Sequence, residues 1–155
     1  MSAIAADTAY EMIAYDESVS GKLISIGNYE GAIELATKRL HNGTLDRRLM
    51  EHTNLCVAYT LTRSFEHAHA SCEAALKLAR EVDAAQSHRT FRTEQETAKA
   101  ISNRGVLKAV TGDLAGASSD FTEAMAAIGA SRVPDRNLAR LEGAVPDRLA
   151  MMESR

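Results

Sequence analysis

The chain has 155 residues, 27 of them alanine, with no tryptophan and two prolines, Pro134 and Pro146, both within the last 22 positions. Alanine is the best helix former and proline the strongest breaker, so a proline-free run of 133 residues points to an almost wholly α-helical protein and excludes a sandwich or a barrel. The net charge of −3 divides into −5 over residues 1–35, +4 over 36–110 and −2 over the rest. No block is basic enough for a nucleic-acid partner, and no apolar stretch approaches the roughly 20 residues of a membrane span.

Residues 1–7, Met-Ser-Ala-Ile-Ala-Ala-Asp, have neither a basic start nor an apolar run, so no signal peptide is read there. This suits a cytoplasmic chain, or a mature exported one from which a signal has been removed. The stretch Ala5–Ala14 either extends the first helix or folds back onto the helices that follow. A first unit then reads Ser20-x-x-Leu23, a turn at Gly27-Asn28-Tyr29-Glu30, and Ala32-x₃-Ala36. A second reads Leu55-Cys56-x-x-Tyr59, a turn from Arg63, and Ala68-x₃-Cys72. A third reads Gly105-x-x-Lys108, a turn at Gly112-Asp113-Leu114, and Ala117-x₃-Phe121.

Leu23, Tyr59 and Lys108 each precede their alanine by nine residues, and the turns are 36 and 49 residues apart. Each unit reads as a helical hairpin. A small residue (Ser20, Cys56, Gly105) lets the second helix approach, an alanine (Ala32, Ala68, Ala117) packs against it, and a short polar turn closes the pair. One hairpin buries only part of its apolar surface, so neighbours must stack to complete a core. Between the second and third units, Arg80–Thr97 contains no glycine or proline and reads as helix extension on both sides of a break near Ser87–Thr90, with a flexible polar loop as the alternative. Pro134-Asp135 opens a further helix bearing Leu138 and Leu141, which Gly143 is expected to end.

The three units resemble the tetratricopeptide repeat, W-x₂-L-G-x₂-Y followed by A-x₃-F and P. The second and third match best. None has the initial Trp, where Asp16, His52 and Ile101 stand, and none has the final Pro. The resemblance covers about residues 13–128. It implies a right-handed superhelical stack of three antiparallel hairpins in a single domain over 1–143. The repeats fall at about 13–44, 49–80 and 98–129, with a capping helix at about 134–142 and a tail over 144–155. It also implies a non-catalytic scaffold that holds a peptide or helix of a protein partner in a concave groove.

The first helices of the units line that groove. Its candidate partner-binding residues are Met50, Thr53, Asn54, Val57 and Leu61 in the second unit and Lys99, Asn103 and Val106 in the third. Ala14, Glu17, Gly21 and Ile24 line it in the first unit. Some members of the family hold a peptide's terminal carboxylate with Lys and Asn; Asn54, Lys99 and Asn103 match such positions, but Glu17 and Gly21 stand where the clamp needs a cation and an amide. Asparagine here also serves structurally, by bonding neighbouring backbone. The groove is either open to a ligand or filled by the chain itself, through residues 1–14 or 134–152. In the second case the chain is an assembly module that self-associates through its end helices, so that monomer and homodimer both remain open.

The hairpin brings Cys56 and Cys72 close together, either as a disulfide or as two reduced apolar side chains, depending on the compartment. His41, His52, His67, His69 and His88 show no i,i+4 pair, and Cys-x-x-Cys is absent, so no metal or other cofactor is expected. No Gly-x-Ser-x-Gly elbow and no phosphate loop occurs, so the chain does not read as an enzyme.

Overall fold

The computed structural model describes residues 2–4, 10–85, 91–127 and 131–153. In chain order these form strands β1 (Ser2–Ile4) and β2 (Glu11–Ile13), then helices α1 (Val19–Ser25), α2 (Tyr29–Arg39), α3 (Leu45–Leu61), α4 (Phe65–Ala85), α5 (Phe91–Thr111), α6 (Leu114–Met125) and α7 (Val133–Glu153). A short 3₁₀ turn, Leu40–Asn42, joins α2 to α3. Each helix packs on the next. The odd-numbered helices α1, α3, α5 and α7 also touch one another in succession.

The three hairpin turns share one backbone solution. At Gly27, Arg63 and Gly112 the chain enters the left-handed region, with φ of 80°, 60° and 97°. Two reversed hydrogen bonds close each helix end: Asn28 N–H to Leu23 C=O and Gly27 N–H to Ile24 C=O, with the equivalent pairs from Ser64 and Arg63 and from Asp113 and Gly112. This is the Schellman geometry, which favours glycine because no Cβ meets the preceding carbonyl. Asn28 and Asp113 then accept from the N–H groups of Gly31 and Gly116 and start the next helix.

The helix pairs meet at their smallest residues. Ala32, Ala68 and Ala117 are all buried, as are Ser20, Cys56 and Gly105 on the partner helices. Gly105 is required to be small, since a Cβ there would lie 2.7 Å from the Phe121 ring. Cys56 on α3 and Cys72 on α4 are joined by a disulfide across a Cα–Cα distance of 4.7 Å.

Several boundaries differ from those the sequence suggests. The described chain is mainly helical, the exception being β1 and β2, which form an antiparallel ribbon with Ala3 opposite Met12. Residues 10–14 do not extend α1 but lie back against the helices, and residues 5–9 lie outside the described residues. The first unit starts at Val19, not near 13. Helix α3 begins four residues before 49, and α5 begins seven before 98. The expected break at Ser87–Thr90 lies outside the described residues. Helix α7 continues through Gly143 and Pro146 to Glu153, where a cap ending at 142 and a tail from 144 are expected. Gly143 is not among the glycines with positive φ, so the reversal that would stop the helix does not form.

Candidate functional site

Residues 11–15 run extended across the face made by the odd-numbered helices. In an extended chain the N–H and C=O groups of alternate residues point to the same edge. Residues 11, 13 and 15 turn that edge toward the helices, and an asparagine meets each one. The Glu11 N–H donates to Asn137 Oδ1, and Asn137 Nδ2 donates back to the Glu11 carbonyl, both at 2.8 Å. The Ile13 N–H and carbonyl make the same two-way pair with Asn103, again at 2.8 Å. The Tyr15 N–H donates to Asn54 Oδ1 at 2.8 Å. Asn54 Nδ2 turns instead to the hydroxyls of Ser18 and Ser20, and Ser18 Oγ donates to the Tyr15 carbonyl.

Asn54, Asn103 and Asn137 come from α3, α5 and α7 and are almost fully buried. The segment therefore begins over the last helix and runs back toward the first. Each two-way pair uses the full complementarity of a carboxamide to a peptide unit, as a neighbouring strand would. On its other edge β2 pairs with β1, so the strand is held on both sides.

Side chains of the segment fill the face. Met12 and Ala14 belong to the same buried cluster as Val57, Val106, Leu107, Phe121 and Leu141, and Met12 is 0% exposed. The Tyr10 ring lies 6.3 Å from that of Phe121, nearly parallel to it. The Tyr15 ring carries Lys99 Nζ 4.6 Å from its centroid; Glu96 holds the same ammonium at 3.2 Å. Gly21 lies directly under the end of the segment, where a Cβ would overlap the Tyr15 carbonyl oxygen.

The Glu11 side chain ends between two arginines on α7. Arg136 grips it through Nε at 3.0 Å and through Nη2, and Arg140 Nη2 lies 2.9 Å from Oε1. The bidentate Arg136 contact holds the carboxyl below its ordinary range, against the opposing effect of burial, and Arg140 adds to the lowering. The same contact raises the basicity of Arg136.

Of the residues the sequence marks for the groove, Asn54, Asn103, Val57, Val106 and Lys99 meet or share a core with the segment. Leu61 packs at the edge of the same core. Met50 is half-buried, and the Thr53 hydroxyl returns to the Leu49 carbonyl of its own helix. Ala14 and Glu17 do not line the face as part of a helix: Ala14 belongs to the bound segment, and Glu17 is exposed in the turn before α1.

Asn137, Arg136 and Arg140 are absent from the sequence-derived set, although a signal for Asn137 exists. Asn54, Asn103 and Asn137 each stand two positions before a small residue (Cys56, Gly105, Ala139), and Ser18 has the same relation to Ser20. Among the described residues no group of three or more His, Cys, Asp or Glu side chains converges as a metal site, and no helix is long and apolar enough to cross a membrane. Fold and site together define a mainly helical protein of packed successive helices that holds an extended segment of its own chain on a row of asparagines. No family model, curated protein or solved structure matches the chain.

Proposed function

We propose that the chain is a non-catalytic protein-interaction module of the tetratricopeptide kind. Its inner face binds an extended peptide of a partner protein, and residues 11–15 occupy that face as a built-in competitor. The observation that carries the reading is the asparagine row. Carboxamides on α3, α5 and α7 meet alternate peptide units of a segment that belongs to none of these helices. That chemistry recognises backbone, so it accepts any chain that is extended and fits the side-chain spaces. A partner must displace the segment first, and its apparent affinity falls by the fraction of molecules in which the face is free.

The test uses the full chain with Met12→Asp, which places a charge in the apolar cluster and expels the segment, and a labelled synthetic peptide of residues 8–17. The open variant is expected to bind the peptide at least about tenfold more tightly than the unmodified chain, and adding Asn103→Ala is expected to remove the binding. Met12→Ser replaces the aspartate variant if the latter loses its helical circular dichroism. A folded open variant that ignores the peptide overturns the reading, as does loss of helix in both variants. Either result makes the segment a permanent part of the core and the chain a structural module.

A further inference from the structure

The asparagine row grips backbone and leaves open which sequences it favours. Two features at the ends of the row answer that. At the α7 end, Arg136 and Arg140 stand one helical turn apart and converge on a single carboxylate. Their side chains are 46% and 37% exposed, whereas that of Glu11 is 7% exposed. The acid is thus enclosed by groups that still touch water. An occupant without a negative charge at this point leaves two neighbouring, half-exposed guanidinium groups without the carboxylate they share. Toward the α3 end, the Lys99 ammonium caps the face of a buried aromatic ring.

The bonds from Asn137, Asn103 and Asn54 hold alternate residues of an extended strand between these ends, at positions 11, 13 and 15. Four extended residues span about 13 Å, so the carboxylate and the ring must be four positions apart. Between them, the position after the acid lies in the main apolar cluster, the next is half-exposed, and the one before the ring is an alanine buried in that same cluster.

We infer that the face selects partner segments that carry an acidic side chain and, four residues later, an aromatic ring, with a large apolar residue directly after the acid and a small residue directly before the ring. The acid lies over α7. This specificity rests on the peptide-binding reading above. The occupant is an acidic extended stretch of another protein. A basic stretch is rejected by the arginines, and a bulky residue before the ring is rejected by packing.

The experiment has an arm in trans and an arm in cis. In trans, the open Met12→Asp chain is titrated with the residue 8–17 peptide and with its Glu11→Gln, Glu11→Lys, Tyr15→Phe and Tyr15→Ser forms. The Tyr15→Phe peptide is expected to bind like the parent, and the Gln and Ser forms at least about tenfold more weakly, with the Lys form weakest. An open chain carrying Arg136→Glu and Arg140→Glu is expected to reverse the order of the Glu11 and Lys forms. If all peptides bind equally, the specificity is wrong while the peptide-binding reading stands.

If none binds, the peptide-binding reading fails, and the arm in cis still decides the specificity. In the otherwise unmodified chain, Arg136→Glu with Arg140→Glu is expected to speed hydrogen exchange of the Ile13 amide by at least about tenfold, and a further Glu11→Arg to restore it. Unchanged exchange in the double variant, or no recovery in the triple, overturns the inference.

Discussion

An asparagine side chain repeats the peptide group it binds: one carbonyl and one N–H donor pair on a short, stiff arm. That is why three asparagines can do for residues 11–15 what an adjacent strand would do, from helices that have no free backbone to offer. Replacing Asn103 by alanine strands both polar groups of Ile13 beside an apolar face. The expected cost is roughly 1–3 kcal/mol, concentrated in the segment, so the Ile13 amide exchanges faster while amides in α4 keep their protection. Equal loss of protection throughout the chain would show that the segment and the helices unfold as one unit. The sequence reading puts Asn54 and Asn103 on the right face but treats their bonding as local. The residues they bind are 39 and 90 positions away, a separation on which helical spacing carries no information.

At the level of elements, the hairpins are legible because their determinants are local. Small residues mark the helix contacts, and Gly27 and Gly112 mark reversals that need positive φ. Arg63 makes the same reversal without glycine's freedom (φ 60°), its guanidinium 5.5 Å from the centre of the Phe65 ring. Strand β2 is not legible. Glu-Met-Ile-Ala-Tyr shows no clean alternation, since Glu11, Met12, Ala14 and Tyr15 are all buried, each by a different neighbour. The end of α7 is misread because Gly143 signals a stop only when it turns left-handed.

The α3–α4 hairpin carries a covalent brace of its own. Its disulfide spans a sequence separation of 16 residues, and closing such a loop restricts the unfolded chain by about 3 kcal/mol. Cys56→Ala with Cys72→Ala is therefore expected to lower the unfolding free energy by about that amount in a denaturant titration. The unmodified protein under reductant is expected to lose stability only slowly, because both cysteines are 1% exposed. A change well below 1 kcal/mol would mean that the unfolded hairpin already holds these ends together.

For the molecule as a whole, the segment ties the last helix to the first. The tie has a built-in acid limit. The Glu11 carboxyl is held below its ordinary 4.5, chiefly by Arg136, so the stabilisation it provides is complete above that value and is lost as pH falls through the lower folded value. Acid titration is expected to release Glu11 and Ile13 amide protection below about pH 4.5, before helical circular dichroism changes, and Glu11→Gln is expected to remove that early step. Simultaneous loss of both signals would place the acid sensitivity outside this tie.

The same tie orders events during synthesis. Glu11 is made 126 residues before the asparagine that holds it. At ribosomal rates that is a wait of roughly 6–25 s, while the hairpins between them have time to form one after another. Residues 11–15 thus complete their contacts late, with Asn54 available first, then Asn103, then Asn137. Until Asn137 emerges, the strand lacks its hold at Glu11 and the face is covered only in part, so the nascent chain passes through a partly uncovered form that the folded protein conceals.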